Sequence, residues 1–139
     1  MTTTTASLAP ADALLTALAA HDFDGIADAF EPDAKLSALL PRGYDEWHDT
    51  AGVRAAFERW FGDVEELEVA DASVGRIGDL LQLRWRVRVQ GGRFGARAMV
   101  VEQYASAHLG PSGRIARLSL LCTGFWPQPH ITDHKEQDS

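Results

Sequence analysis

The sequence predicts one α+β domain, in which helices from the first half of the chain pack on one face of a curved antiparallel sheet built by the second half. Three observations predict it. Apolar side chains recur at helical spacing before residue 62, and they alternate strictly with polar ones in residues 81–90. Residues 1–79 hold 16 acidic and 5 basic side chains, whereas residues 80–132 hold 1 acidic and 7 basic. No flexible linker separates these halves, so the step in charge marks a change of secondary structure within one core.

The first two helices are short and close together. The segment ADALLTALAA after Pro10 is rich in alanine and leucine, with a proline where the first turn of a helix tolerates it. A break follows, and either Asp22 or Asp24 can cap a second helix, which we expect Pro32 to end.

The third helix has the clearest signals. Asp49 or Thr50 can cap its start, and Gly62 is a suitable stop. Between them the large apolar residues follow helical spacing: Val53, Phe57, Trp60 and Phe61.

Strands make up most of the remainder. The alternating segment 81–90 has one buried face, because its odd-numbered residues are apolar and its even-numbered ones are Arg or Gln. Turn residues bound the other candidates. The strand candidates are 34–40, 65–74, 81–90, 94–109 and 115–126.

Composition excludes several classes of protein. One cysteine excludes an internal disulfide framework, and a net charge of −7 argues against a protein that binds nucleic acid by neutralising phosphates. We expect no membrane span, no secretory signal and a cytoplasmic location. The expected organisation is a disordered segment 1–9, a domain 10–127 and a flexible acidic tail 128–139. Only His130 and His134 have a metal-like spacing, in a tail that is not expected to be helical, so we expect no metal and no cofactor.

Three segments carry a family resemblance: LLTALAAHDFDGIADAFEPDAKL, WHDTAGVRAAFERWF and GRIARLSLLCTGFWP. In this order and spacing the chain resembles the nuclear transport factor two-like superfamily, and within it the SnoaL-like, ketosteroid isomerase-like branch, over residues 8–127. The resemblance implies a cystatin-like, cone-shaped sheet wrapped around helices, an apolar pocket for a hydrophobic small molecule, and a homodimer. Members include cyclases, isomerases, dehydratases, epoxide hydrolases and proteins without catalysis, so the fold does not fix the reaction.

The catalytic groups of several family members are missing from the matching positions. The general-base aspartate of ketosteroid isomerases would fall at Ala38. Epoxide hydrolases need an Asp-Arg-Asp set on the sheet, and residues 80–132 contain no aspartate. The Tyr-Asp pair of scytalone dehydratases corresponds to Leu18 and Ala19.

Glu102 is the single acidic residue in residues 80–132, and two interpretations of it stay open. Its position is close to that of the protonated aspartate of ketosteroid isomerases, and in an apolar pocket its pKa would rise enough for acid/base work. Alternatively, it pairs across strands with Arg84, Arg86 and Arg88. Glu102 shares its strand face with Tyr104, but the opposite face is the more apolar one.

The segment Gly43–Asp49 is the second candidate, and the resemblance implies that it is a loop that overhangs the pocket mouth. His48 titrates near neutral pH and could transfer a proton; alternatively it is a solvated loop residue. Tyr44 and Trp47 supply aromatic rings.

The resulting hypothesis assigns Glu102, His48 and Tyr104 to catalysis. It assigns the following residues to substrate binding: Tyr44, Trp47, Trp85, Leu118, Leu120 and Cys122. Two functions remain open. One is a cofactor-independent enzyme of secondary metabolism acting on a polyketide- or terpenoid-like substrate; the other is a non-catalytic module that binds a hydrophobic ligand or dimerises.

Overall fold

The computed structural model describes residues 8–128, which form three helices and one curved, open sheet of seven strands. The α+β class is therefore confirmed. The segments expected to be disordered fall almost entirely outside the described residues. No helix in residues 8–128 is long and apolar enough to cross a bilayer. The helices are α1 (Ala9–Ala19), α2 (Phe23–Asp28) and α3 (Asp49–Phe61).

The strands lie in the order β2-β1-β6-β5-β4-β3, and β7 pairs with β5. Every neighbouring pair is antiparallel except β1 and β6, which run parallel, so the sheet is mixed and not purely antiparallel as expected. The strands are β1 (Phe30–Leu40), β2 (Gly43–His48), β3 (Glu66–Ile77), β4 (Leu80–Gln90), β5 (Met99–Leu109), β6 (Ile115–Cys122) and β7 (Trp126–Pro127).

Local signals explain where the helices begin. The Asp22 carboxylate accepts a hydrogen bond from the Gly25 amide at 3.0 Å, and the Asp49 carboxylate accepts one from Gly52 at 2.8 Å. Each bond satisfies an amide that has no partner within its helix. The predicted end of the second helix at Pro32 is wrong, because α2 ends at Asp28 and Pro32 lies inside β1.

Several predicted boundaries in the sheet are also wrong. The strand expected from residue 94 begins only at Met99, and the one expected from residue 34 begins already at Phe30. The expected loop 43–49 is mostly strand β2, because the turn at residues 41–42 folds it back against β1. The expected last strand 115–126 is broken after Cys122, and the chain resumes pairing only at Trp126, now against β5.

The two faces of the sheet differ in character. The helices cover one face, here called the inner face, which carries the apolar residues of β4 and the core. The opposite, outer face carries Arg84, Arg86 and Arg88. Irregular pairing in β1, β3 and β5 bends the strands, as bulges do, and this bending allows one sheet to curve around the helices.

One polar side chain is fully enclosed in this core. Gln103 is 0% exposed, and its Oε1 accepts a hydrogen bond from Trp85 Nε1 at 2.6 Å. Its Nε2 donates to the Cys122 sulfur at 3.4 Å. Because each buried polar atom has a partner, Gln103 adds directional contacts to a core that is otherwise apolar.

We predict that Gln103→Leu destabilises the fold by about 1–3 kcal/mol, because it leaves the buried indole N–H of Trp85 without an acceptor. Urea unfolding at neutral pH measures the change. Gln82→Leu is the matched control, since Gln82 is exposed on the outer face of the neighbouring strand. Equal losses in both variants would contradict the role given to the Trp85–Gln103 bond.

Candidate functional site

A cavity of about 590 Å³ opens at one end of the inner face, where β1, β2 and the end of α3 meet the break after β6. We call it the inner pocket. Its wall combines apolar, aromatic and charged side chains: Leu40, Pro41, Arg42, Asp45, Trp47, Arg59, Trp60, Arg93, Cys122, Thr123, Gly124, Phe125 and Trp126.

Aromatic rings in edge contact build its apolar part. Trp47 and Trp60 meet at 5.6 Å between ring centroids, almost perpendicular to one another. On the other side Phe125 packs against Phe61 of the core. The Arg93 guanidinium lies 5.0 Å from the centre of the Phe125 ring. Such contacts orient large flat side chains and favour a wall of fixed shape.

The break after β6 shapes the pocket. The Thr123 amide bonds to the backbone carbonyl of Glu102, and the Glu102 amide bonds in return to the Thr123 hydroxyl. Gly124 then adopts a φ of +83°, and a Cβ there would approach Pro41 Cγ to 2.7 Å. A side chain at Gly124 would therefore be strained and would collide with the pocket wall.

The polar groups of the pocket come from separate elements. Asp45 lies on β2, directly opposite Ala38 of β1. The Cys122 sulfur accepts hydrogen bonds from Gln103 Nε2 and from the Gly124 amide, each at 3.4 Å. Arg93 binds the Asp63 carboxylate and donates to the Trp60 carbonyl at 2.8 Å. The arrangement offers a ligand an apolar surface, a carboxylate, a thiol and guanidinium groups.

Glu102 does not line this pocket. It lies on the outer face and binds Arg84 at 2.6 Å and Arg86 at 3.3 Å, so the cross-strand interpretation is confirmed for these two arginines, whereas Arg88 lies near Glu66 instead. Burial alone would raise the pKa of Glu102, but the Tyr104 hydroxyl and the two guanidinium groups outweigh burial and lower it. The expectation of a raised pKa in an apolar cavity is wrong.

The other predicted polar residues share this outer face. Tyr104 donates its hydroxyl to Glu102 at 3.0 Å, and this bond is the main reason that the pKa of Tyr104 is raised. Tyr44 donates to Glu46 at 2.7 Å. His48 lies in a separate depression with Lys35 and other residues of the outer face. The structure therefore does not bring the three predicted catalytic side chains to the inner pocket.

Of the predicted substrate-binding residues, Trp47 and Cys122 lie together in the inner pocket. Trp85 and Leu118 are completely buried in the core, and Leu120 is 5% exposed. They were expected at a pocket because the alternating pattern identifies the buried face of a strand, but it does not show which part of that face stays open.

Sequence reasoning missed Asp45 as a pocket residue, together with Arg42 and Arg59. Asp45 and Trp47 are two residues apart, and this spacing would have placed both on one face had the segment been recognised as a strand. Arg59 stands in the last turn of α3 beside Trp60.

The described residues contain no group of three or more His, Cys, Asp or Glu that could hold a metal ion. His130 and His134 lie outside the described residues.

A depression of about 670 Å³ crosses the outer face, where Arg84, Tyr104 and Leu121 line it among others. Its lining contains a single aromatic ring, and it lies open along the sheet.

We predict that Glu102→Gln destabilises the protein by about 1 kcal/mol at pH 7. The folded-state pKa of Glu102 is lowered, so its stabilising contribution is present above the unfolded-state pKa and disappears as the pH falls through the folded-state pKa. Wild type and variant should therefore converge at acidic pH in denaturant unfolding.

The control for this prediction is Glu68→Gln, because Glu68 is exposed on the same face and forms no ion pair within the described residues. It should change stability little at either pH. A Glu102→Gln effect that grew as the pH fell would indicate a raised pKa and contradict the assignment.

Comparison with known proteins identifies the fold. A cystatin-fold protein from Novosphingobium aromaticivorans superposes with a TM-score of 0.66 at 19% identity, over 83% of this chain and 97% of that chain. A proposed SnoaL-like polyketide cyclase from Shewanella denitrificans gives a TM-score of 0.63 at 13% identity, over 94% and 96%. An LEH-like epoxide hydrolase from M. tuberculosis gives a TM-score of 0.61 at 17% identity, over 83% of this chain and 80% of that chain.

These identities establish similarity of fold alone. No protein of curated function matches the sequence. The sequence profile of the SnoaL-like domain, however, matches residues 11–118, which is most of the chain. The chain therefore belongs to the SnoaL-like family of nuclear transport factor two-like proteins.

Proposed function

We propose that the inner pocket binds a hydrophobic small molecule and that the protein converts it without a cofactor, by cyclisation, isomerisation or dehydration of a polyketide- or terpenoid-like compound. The observation that carries the proposal is the cavity of about 590 Å³ with an aromatic wall. Ligand pockets are typically larger than about 300 Å³ and mostly apolar, with a few polar groups that set orientation.

Binding in this pocket would be driven by burial of apolar surface. Flat rings of a ligand can pack against Trp47, Trp60 and Phe125. The contact between the two tryptophans and the contact of Phe125 with Phe61 already restrict the orientation of these rings. A wall that is ordered before binding lowers the entropy lost on binding.

We assign the acid/base role to Asp45. The position at which the resemblance places a catalytic aspartate is Ala38, and Asp45 is its direct partner on the adjacent strand, within the pocket wall. A carboxylate there can take a proton from a carbon next to a carbonyl and return it to another atom, which is a net isomerisation. Glu102, His48 and Tyr104 are not given this role because they lie on the outer face.

The alternative is a non-catalytic module that holds a hydrophobic ligand in the same pocket. The exposure of Asp45 favours it, because water stabilises a charged carboxylate and weakens it as a base. Binding and proton transfer therefore have to be tested separately.

We predict that anthracenecarboxamide, a neutral polycyclic probe, raises the melting temperature of the wild type and of Asp45→Asn alike, since a ligand of the native state stabilises it. Exchange of the carbon-bound protons beside the carbonyl of tetralone, followed by NMR in heavy water, should fall by about 100-fold in Asp45→Asn.

The control Asp79→Asn removes an exposed carboxylate outside the pocket and should leave exchange unchanged. Binding without exchange in the wild type would support the non-catalytic module. Absence of binding would overturn the proposal that the inner pocket binds a hydrophobic small molecule.

We also propose a homodimer through the outer face. Four large side chains form a row across adjacent strands: Tyr44 is 62% exposed, Leu39 51%, Leu121 49% and Tyr104 43%. Their pairing is in register from β2 to β5. A continuous exposed apolar row of this kind is typical of an interaction surface, and a second copy can match it by a two-fold axis.

The size of the outer face is adequate for such a dimer. Six strands spaced about 4.8 Å apart span about 24 Å, and these strands, of 6 to 12 residues, run on average for about 33 Å. The resulting area is close to the roughly 800 Å² per partner of a stable interface.

We predict that the wild type sediments as a dimer and that Leu121→Arg shifts it towards monomer, because the substitution places a charge at the centre of the apolar row. Analytical ultracentrifugation over a range of concentrations measures this. Leu8→Arg, at an exposed apolar residue before α1 and off the sheet, should remain dimeric. A monomeric wild type would refute the dimer.

A further inference from the structure

We propose that the inner pocket selects apolar ring compounds that carry a carboxylate, and that Arg42 and Arg59 recognise this group. The inference rests on the proposed binding function and adds the chemical class of the ligand. Its basis is the pairing state of the arginines around the pocket.

Several arginines outside the pocket are engaged, although Arg97, Arg114 and Arg117 form no side-chain ion pair or hydrogen bond among the described residues. Arg54 pairs with Asp24 and Glu58, and Arg84 pairs with Asp71 and Glu102. Within the pocket Arg93 is also satisfied, by Asp63 and by the Trp60 carbonyl.

Arg42 and Arg59 combine two properties: they are unpaired among the described residues, and they stand in the wall of the inner pocket. Neither has a hydrogen bond, an ion pair or an aromatic contact in the part of the chain that the structure describes, although both line the inner pocket. Asp45 lines the same wall, yet it forms no ion pair with either of them. With Arg93 neutralised by Asp63, the two cations Arg42 and Arg59 still outnumber the single carboxylate of Asp45, so the pocket keeps an excess of positive charge.

A general surplus of basic residues does not explain this excess. The chain has 20 acidic and 13 basic side chains, so acidic partners are plentiful. Arg59 interacts favourably with the carbonyl end of α3, in whose last turn it stands. That effect does not apply to Arg42, which follows β1 in a turn.

The ligand chemistry follows from the neighbours of the two arginines. Trp47, Trp60 and Phe125 offer apolar surface to rings, and a guanidinium group offers paired N–H donors that match a carboxylate. A compound that combines apolar rings with a carboxylate can contact both the aromatic side chains and the guanidinium groups. An uncharged ring compound of the same shape would leave Arg42 and Arg59 unpaired.

The test compares two probes of nearly equal shape, anthracenecarboxylate and anthracenecarboxamide, by fluorescence titration of the full chain at low ionic strength. We expect the wild type to bind the carboxylate about five- to tenfold more tightly than the amide. In Arg42→Gln/Arg59→Gln the ratio should fall close to one while affinity for the amide is retained. Because both side chains are exposed, 0.5 M NaCl should also reduce the ratio in the wild type.

The control Arg97→Gln removes the same charge from an exposed arginine outside the pocket, and it should keep the wild-type ratio. Equal binding of the two probes by the wild type would overturn acid selectivity and leave the pocket proposal standing. A ratio preserved in the double variant would overturn the assignment to Arg42 and Arg59. Binding of neither probe would overturn the proposed function, and this inference with it.

Discussion

The structure depends on the strict separation of the two faces of its sheet. Successive side chains of a strand point to opposite faces, so a shift of one residue would exchange the buried set for the exposed one. In β4 this constraint is strong, because five apolar residues alternate with Arg and Gln and the helices cover only one face. The register of β5 against β4 follows from it. Gln103 is therefore directed into the core beside Trp85, and Glu102 outward to Arg86.

The pocket exists because this separation is interrupted at one point. Where the strands pair without interruption and the helices pack on them, the inner face is closed, as it is around Trp85. After Cys122 the chain leaves β6, binds Glu102 through Thr123, and turns at Gly124 against Pro41. Phe125 is thereby placed opposite the rings on β2 and α3, and space remains between them. The glycine and the two-sided hydrogen bonding of Thr123 make the interruption a defined structure.

The sequence allowed the fold class, the three helices and the buried face of β4 to be predicted, because each depends on periodicity or capping within a short segment. The site was predicted less well. Glu102 was considered for the pocket on the strength of a family position, although the more apolar opposite face already indicated that it points outward. Residues 43–48 do not show the alternation of a strand, because polar residues fall on both faces of this edge strand. Which arginines stay unpaired depends on contacts between distant segments, and no local pattern contains that information.

The outer face and the inner pocket also differ in how their charges are neutralised. On the outer face of β3, β4 and β5, acids and arginines lie opposite one another on adjacent strands, so their charges are neutralised by regular register. The inner pocket is formed by a turn, a helix end and the unpaired segment after β6, so regular pairing of strands does not set its side-chain contacts. Guanidinium groups in such a place are neutralised only if a specific partner reaches them, as Asp63 reaches Arg93. The irregular backbone that opens the cavity thus also leaves charge for a ligand to satisfy, and the shape and the chemistry of the pocket have a common structural origin.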